Sequence, residues 1–520
     1  MLSFQLNTLF NFYQLRDETI KELGVKLAEQ DKKIAALQDE IAQLKELLKL
    51  QKHRRFGKKS EAHATDKEEN PPPDKSITVA AHTRKKAGRL LSTDHLPHFQ
   101  TIYDLAEHEK TCVACHGNLH KIGEEKTSQL EIIPTRYCVV EHIQMKYACR
   151  QCETIKTAEK PLAPIPKAIA GASVLADVIV NKYQFHQPLY RQSKMMLNEG
   201  LTIPDNTLGN WMIACAELLK PVYQALWSIL NSRYLQVDET PVKILEPNKK
   251  GYLWTYYAPH VGNARGLIAF ELSETRSATI AESRLRDFNG LLQTDAYGGY
   301  KALRKRKGIV GLGCLTHARR KFDEVIKISH DKDGVAAKFL GLLKPLYELE
   351  AMMREKKLGF RTRKRLRQKI AWPQMKLIHR FLRETKPKVP PKSKLGQAIQ
   401  YTLTQWPYLF AYLRHGEAEI DTNGVENKIR EIALGKKNWL FIGNTTSGQM
   451  HAIFYSLVLS SQLNGINPRV YLHYLLTKVH ELRRNELDPI TLLPQLIDKN
   501  DLQKFIDERM EFAKKMLSDT

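Results

Sequence analysis

The sequence predicts a multidomain α+β protein, and three features lead to that reading. Apolar residues fall into heptads near the N-terminus. Two Cys-x-x-Cys pairs follow. Beyond Ser232, short apolar runs that read as strands alternate with helical stretches, and two of the runs stop on an aspartate. At 520 residues the chain exceeds what one hydrophobic core supports and is expected to divide into several domains.

Charge narrows the classes of partner. Lys and Arg total 81 against 57 Asp and Glu, a formal net charge of +24. That balance favours a polyanion, either nucleic acid or an anionic membrane surface. Residues 351–395 hold 16 Lys/Arg and two acids, so this segment alone carries +14 of the excess. No apolar run approaches the roughly 18 residues of a transmembrane helix. The start, "MLSFQLNTLFNFYQLRDE", has no basic n-region and no small-residue cleavage site, so a cytoplasmic protein without a signal peptide is expected. Seven cysteines in such a chain point to metal or free thiols before disulfides.

Residues 1–55 read as a helix and coiled coil. Ile20, Leu27, Ile34, Ile41 and Leu48 recur every seven residues, with Leu23, Leu37 and Leu44 at d and Gln30 as the polar exception. β-Branched residues at a with Leu at d favour a parallel pair, so a homodimer through this zipper is expected; the plainer reading is one amphipathic helix packed on its own chain. Residues 56–105 read as a basic, proline-broken linker that opens "FGKKSEAHATDKEENPPPDKS".

Residues 106–160 carry Cys112 and Cys115, then Cys149 and Cys152, with an intervening segment that alternates like short strands. One such pair could be a redox couple; two pairs fit a zinc ribbon in which four thiolates hold one structural Zn²⁺. His116, His120 and Cys138 read as bystanders. Residues 165–232 are helical, broken at Gly200 and reopened by Pro204-Asp205, the outline of a helix-turn-helix or of an ordinary helical hairpin.

Residues 233–328 change to strands. "RYLQVD", "GYLWTYYAP" and "GLIAFEL" precede a helix; "GLLQTD", a short helix, "IVGLGC" and the helix of "THARRKF" follow. Three strands, helix, strand, helix, strand, helix is the element order of a ribonuclease H-like α/β domain. In that layout the first strand is central, the fourth lies beside it, and Asp238 and Asp295 at their ends converge. Their repulsion would be relieved by a divalent cation with oxygen ligands, Mg²⁺ or Mn²⁺, two per site. Alternation turns Glu239 to the opposite face. A third carboxylate is expected from a helix beginning near Asn423, where Glu426 and Arg430 share a face, although a surface Glu–Arg pair is the plainer reading of that motif alone. The 130 residues between Asp295 and Glu426 imply a helical basic insertion, 329–416. In it, "REKKLGFRTRKRLRQK" offers Arg361, Arg363, Lys364, Arg365 and Arg367 to phosphate. Residues 417–475 return to the α/β domain, and 476–520 form a helical tail.

Along nearly its whole length the chain resembles the transposases of the insertion sequence 66 group. The resemblance rests on "VDETPV", "LLQTDAYGGY", "GCLTHARRKF", "NGVENKIREIALGKKNWLFIGN", "LNGINPRVYL", the cysteine region ending "MKYACRQC", and the zipper ending "HRRFGKKSE". It implies a DDE-type transposase that cuts at transposon ends and joins them to target DNA through Asp238, Asp295 and Glu426, working on the bacterial nucleoid, with small accessory proteins of the same element as partners and no membrane. His317, Arg319, Arg320, Arg430, Lys436 and Lys437 are the further candidate DNA contacts. Asn427 and Lys436 stand where the family usually has Arg, and Ala296 where Gly is common. The competing readings are a DNA-binding regulator or scaffold with an inactive core, and a nuclease of the same fold without strand transfer.

The four-cysteine arrangement generates a first prediction. Metal analysis of purified, folded protein should return about one zinc per chain. Cys112→Ser or Cys149→Ser should remove it, while Cys138, Cys215 and Cys314 are dispensable. A value near zero in folded protein would rule out the ribbon.

Overall fold

The computed structural model describes helical positions between 29 and 45 (Glu29, Gln30, Lys33, Leu37, Gln38, Glu40, Ile41 and Lys45; α1), then residues 137–148, 155–158, 160–230, 233–246, 248–261 and 264–518. The chain divides into two units, one made of Met1–Lys59 with Val140–Thr520 and the other of Ser60–Val139. Of the second, residues 137–139 are described and lie outside helix and strand.

In α1, Glu29 and Lys33 form an i,i+4 ion pair of 3.4 Å, and the heptad residues Leu37 and Ile41 are exposed. Gln30, the polar d position, is exposed too; the remaining a and d positions lie outside the described residues, as do the linker and Cys112, Cys115, Cys149 and Cys152. Strands β1 (Lys146–Ala148) and β2 (Ile155–Thr157) pair antiparallel on either side of the second cysteine pair, with Lys146 opposite Thr157.

Three helices follow: α2 (Ala172–Tyr183), α3 (Leu189–Asn198) and α4 (Asp205–Leu230). Gly200, at φ +81°, ends α3 in the left-handed conformation that glycine adopts without a Cβ penalty, and the Leu201 amide bonds back to the Met196 carbonyl at 2.9 Å. Asp205 places an acid in the first turn of α4, where the helix dipole favours it. Leu208, Trp211, Met212, Leu219 and Leu226 then form the buried side of α4.

The main sheet has the order β5-β4-β3-β6-β7, with β8 pairing the far end of β3. β3 (Tyr234–Glu246), β4 (Lys249–Val261) and β5 (Ala264–Ser273) form an antiparallel meander; β6 (Gly290–Gln293), β7 (Ile309–Leu312) and β8 (Ile442–Asn444) run parallel to their neighbours. β5 has an uncovered edge only in outline. Helix α13 (Thr445–Leu463) packs along it, and Ser456 Oγ and Ser460 Oγ accept from the amides of Phe270 (2.9 Å) and Ile268 (3.2 Å). Covering an edge in this way satisfies donors that would otherwise invite pairing with another chain.

One sequence expectation changes here. The first strand was expected to end at Asp238, but β3 continues to Glu246. Its β4 edge is paired from Gln236↔Tyr257 to Ile244↔Lys249, and this ladder carries the strand past the aspartate. On its other edge, pairing with β6 stops at Gln236↔Gln293 and pairing with β8 begins at Ile244↔Ile442. Asp238 therefore lies in a gap between two parallel partners. The Pro241 carbonyl faces that gap, accepting from Lys436 Nζ at 2.7 Å, so its missing N–H costs no ladder bond.

Helices α8 (Val335–Glu355), α9 (Phe360–Leu366), α10 (Trp372–Thr385) and α11 (Lys394–Ala411) make up the insertion. Phe339, Leu343, Met375, Ile378 and Ile399 form one core with Tyr234, Leu291 and Leu312 of the sheet and with Phe322 of α7 (Leu315–Ser329). The Phe322 and Phe339 rings stack at 3.7 Å. A π-helical turn at Arg367–Ala371 follows α9. Arg363 and Arg367, four apart, both turn inward. Fully buried Glu350 accepts from Arg367 Nε at 2.7 Å and Nη2 at 2.8 Å, and Arg363 Nη2 reaches Glu419 at 2.9 Å. Arg367 also donates to the carbonyls of His415 (2.6 Å) and Ala418 (2.8 Å). The expectation that Arg363 and Arg367 face phosphate is thereby corrected: a buried carboxylate needs cationic partners, and these two supply them. Arg361, Lys364 and Arg365 remain exposed.

Glu350→Ala would leave Arg367 charged and buried without its carboxylate. Urea unfolding should show a loss of about 3–5 kcal/mol, with much of it recovered in Glu350→Met/Arg367→Met. A loss below about 1 kcal/mol would mean that water screens the pair.

Candidate active site

Gln236, Asp238 and Thr240 alternate onto one face of β3, and helix α12 (Asn423–Trp439) crosses that face. The crossing is fixed at both ends. Gln236 Oε1 accepts from the Val425 amide at 3.0 Å near the start of α12, and Lys436 Nζ donates to Thr240 Oγ1 at 3.1 Å near its end. A Cβ at Gly424 would sit 2.7 Å from Gln236 Oε1 and 2.8 Å from the Tyr257 ring, so only glycine allows the first turn to lie this close. Glu426 follows two residues later, near enough for its charge to act on Asp238.

A second glutamine repeats the arrangement. Gln293, the register partner of Gln236 on β6, stands two residues before Asp295 as Gln236 stands two before Asp238. Both glutamines are buried. Gln293 Nε2 donates to the carbonyls of Gly313 (2.8 Å) and Glu419 (3.0 Å), its Oε1 accepts from Gln236 Nε2 (3.0 Å) and from the Tyr234 hydroxyl, and Gln236 Nε2 also reaches the Asp421 carbonyl (3.0 Å). The sequence reading overlooked this pair, although its signal, the repeated "LQxD" of "YLQVD" and "LLQTD", was present.

The Asp295 loop is held from behind. Arg304, buried on α6 (Lys301–Lys305), donates to Thr294 Oγ1 (2.9 Å), the Thr294 carbonyl (2.7 Å) and the Asp295 carbonyl. Asp295 Oδ1 accepts from the Tyr297 amide at 2.9 Å, which turns the loop. Asp238 Oδ1 accepts from the Glu239 amide at 2.8 Å. Glu426 is drawn toward α7: its Oε2 lies 2.8 Å from Arg320 Nη2, and its Oε1 accepts from Thr422 Oγ1 at 3.1 Å and lies 3.8 Å from His317 Nδ1. Among the described residues, the group of three potential metal ligands gathered within 4.8 Å is Cys314, His317 and Glu426.

Electrostatics single out Asp238. Burial, then the neighbouring Asp295 and Glu239 carboxylates, raise its pKa from 3.8 to about 8, with Glu426 adding to the same field. Glu239 faces the other way. Its buried carboxylate pairs with Arg276 Nε at 2.6 Å and accepts from the Tyr300 hydroxyl at 2.5 Å, a structural ion pair consistent with the alternation argument.

The other candidate DNA contacts separate by surroundings. His317 and Arg320 sit beside Glu426, and Arg319 lies 6.0 Å from the Tyr347 ring centroid. Arg430 and Lys437 are exposed on α12. Lys436, expected to meet phosphate, is instead half-buried and bonded to β3, because the end of α12 rests on the strand there.

Comparison with known proteins gives two family matches. The model described as Transposase IS66 family matches residues 167–450, and the zinc-finger binding domain of transposase IS66 matches residues 109–153, which contain all four paired cysteines. Similar proteins occur in Sinorhizobium fredii. The uncharacterized protein y4jD is 34% identical, covering 77% of this chain and 80% of its own length. The uncharacterized proteins y4hP and y4qI are 27% identical over 81% of this chain and 78% of their own, and 28% over 74% and 73%.

The raised pKa of Asp238 has a signed consequence. Without metal, folding takes up a proton between the unfolded value near 3.8 and the folded value of about 8, so stability falls as pH rises through that window. In EDTA, Asp238→Asn should therefore be near neutral at pH 4 and stabilise by on the order of a few kcal/mol at pH 8, read by urea unfolding. An equal effect at both pH values would show that Asp238 ionises normally.

Proposed function

The chain belongs to the IS66 transposase family, and from that premise we propose that it cleaves DNA at the ends of its insertion element and joins them to target DNA through Asp238, Asp295 and Glu426. The observation that supports this reading is that the charges of Asp295 and Glu426 both act on buried Asp238, although Glu426 itself gathers within 4.8 Å with Cys314 and His317. Asp238 and Asp295 come from neighbouring parallel strands, Glu426 comes from the helix crossing them, and the field of Asp295 and Glu426 acts on Asp238. Strand order β5-β4-β3-β6-β7, with three antiparallel strands before two parallel ones, supports a ribonuclease H-like assignment for the domain.

The donor set fits a hard divalent cation. Asp238, Asp295 and Glu426 offer oxygen alone, and a carboxylate that burial and like charge keep protonated is one that a cation would deprotonate. Two Mg²⁺ or Mn²⁺ ions held there would supply Lewis-acid activation of the attacking oxygen and charge neutralisation on the leaving oxygen. The chain's own residues set the stage for that chemistry. Arg304 and the Tyr297 amide fix the Asp295 loop, the glutamine pair fixes the start of α12, and Arg320 pairs with the Glu426 carboxylate. Exposed Arg361, Lys364, Arg365, Arg430 and Lys437 provide phosphate contacts that position DNA without reading its sequence.

The zinc module and the α3–α4 helix pair serve end recognition in this reading, and the α1 heptads bring two copies together. Exposure of Leu37 and Ile41 supports the latter assignment. No helix among the described residues is long and apolar enough to cross a membrane. Action on the bacterial nucleoid, with accessory proteins of the same element, completes the proposal.

The test uses purified full-length protein, DNA carrying the element ends, and Mg²⁺ or Mn²⁺. Asp238→Ala, Asp295→Ala and Glu426→Ala should each abolish cleavage and strand transfer while end binding stays within a few-fold of wild type. Cutting by the triple variant would refute the triad. Cleavage without joining by the wild-type protein would leave a nuclease.

A further inference from the structure

A cavity of about 360 Å³ opens between α10 and α11 of the insertion, lined by His379, Trp406, Pro407 and Phe410 with Lys376 and Arg414 among its walls. Its volume lies at the small end of the roughly 300–1,000 Å³ range of ligand pockets, enough for one planar ring system with its substituents. The lining is aromatic. Trp406 stacks on His379 at 4.8 Å and 27°, and Phe410 meets Trp372 edge-on at 4.5 Å. Lys376 and Arg414 are exposed, and Arg414 lies 5.6 Å from the Trp372 ring. The surrounding surface is cationic, with Arg380, Arg383, Lys386, Lys388 and Lys392 all exposed nearby in the chain.

The opposite side of the same helix reaches the candidate active site. Gln405, next to Trp406, accepts from Arg304 Nη1 at 2.9 Å, and Tyr408 places its ring 4.8 Å from the Arg304 guanidinium and its carbonyl 3.0 Å from the Gly313 amide. Arg304 in turn holds the Asp295 carbonyl. Two adjacent residues of α11 thus belong one to the cavity and one to the bonds behind Asp295.

We propose that this cavity receives the base of a single unpaired nucleotide of DNA. The inference rests on the DNA-processing role argued above and adds a site to it. Aromatic walls with cations beside them match a π-face flanked by phosphates, and base stacking on aromatic side chains tolerates any sequence. A paired base cannot enter a slot this small, because its face is covered by its neighbours in the duplex; the site therefore selects nucleotides that are extruded or unpaired. Lys376 and Arg414 contact the flanking phosphates, and Trp406 with Phe410 holds the ring.

The experiment compares two duplexes of one sequence with the full-length chain, one carrying a single 2-aminopurine bulge and one fully paired. The bulged duplex should bind about tenfold more tightly, with its fluorescence quenched on binding. Trp406→Ala should remove both the preference and the quench while affinity for the paired duplex stays within about twofold. Lys376→Glu, at an exposed position that leaves folding intact, should weaken bulge binding several-fold more than paired binding. Equal affinity for the two duplexes, or an undiminished preference in both variants, overturns the proposal. Cleavage of element ends by the same preparation separates the two readings. A chain that cuts but shows no bulge preference loses the pocket alone, whereas a chain that binds neither duplex loses the transposase role and the pocket with it.

Discussion

The hydrogen-bonded pair Gln236–Gln293 is the constraint on which the geometry of the cleft depends. The two side chains sit at matched register positions of β3 and β6, and their amides consume the Val425 amide and the carbonyls of Gly313, Glu419 and Asp421. One network thus ties two strands to the segment that starts the Glu426 helix. An amide buried without these partners would cost about 1–3 kcal/mol, so the strands and the helix are held in one relative arrangement. Asp238 and Asp295, each two residues beyond a glutamine, inherit that arrangement on the same side of the sheet. Glu426, one residue beyond Val425, inherits it from the helix.

Charge is distributed in opposition to the overall excess. The chain is strongly cationic, yet burial of Asp238 beside β3's unpaired edge, with the carboxylates of Asp295, Glu239 and Glu426 acting on it, raises its pKa to about 8. A polyanion brought close by the basic surface would be repelled from such a cleft unless cations were present there. Arg320 and His317 provide part of that compensation for Glu426 from α7, while among the described residues the carboxylates of Asp238 and Asp295 accept from backbone amides and form no ion pair.

The basic insertion serves two ends through one sequence. Arg363 and Arg367 neutralise Glu350 and Glu419 inside the fold, and Arg361, Lys364 and Arg365, interleaved with them, stay on the surface. The inward pair also donates to carbonyls at His415 and Ala418, just before the chain returns to the cleft. Through α11, Gln405 and Tyr408 meet Arg304 behind Asp295. The insertion is therefore part of the structure that supports the second aspartate.

The sequence by itself determined the element types, the two aspartates at an abrupt polarity change, the glutamate on a helix, and the opposed face of Glu239, because periodicity and composition are local properties of the chain. The heptads and paired cysteines were legible on the same ground. Tertiary structure alone decided how far β3 extends, which arginines of the insertion turn inward, that Lys436 bonds to a strand, and that two glutamines organise the cleft. Each of those outcomes depends on a partner distant in sequence: Gln236 meets Val425 189 residues away, and Lys436 meets Thr240 196 residues away. A buried polar group declares its role only when its partner is known, and no local pattern names a partner across such a separation.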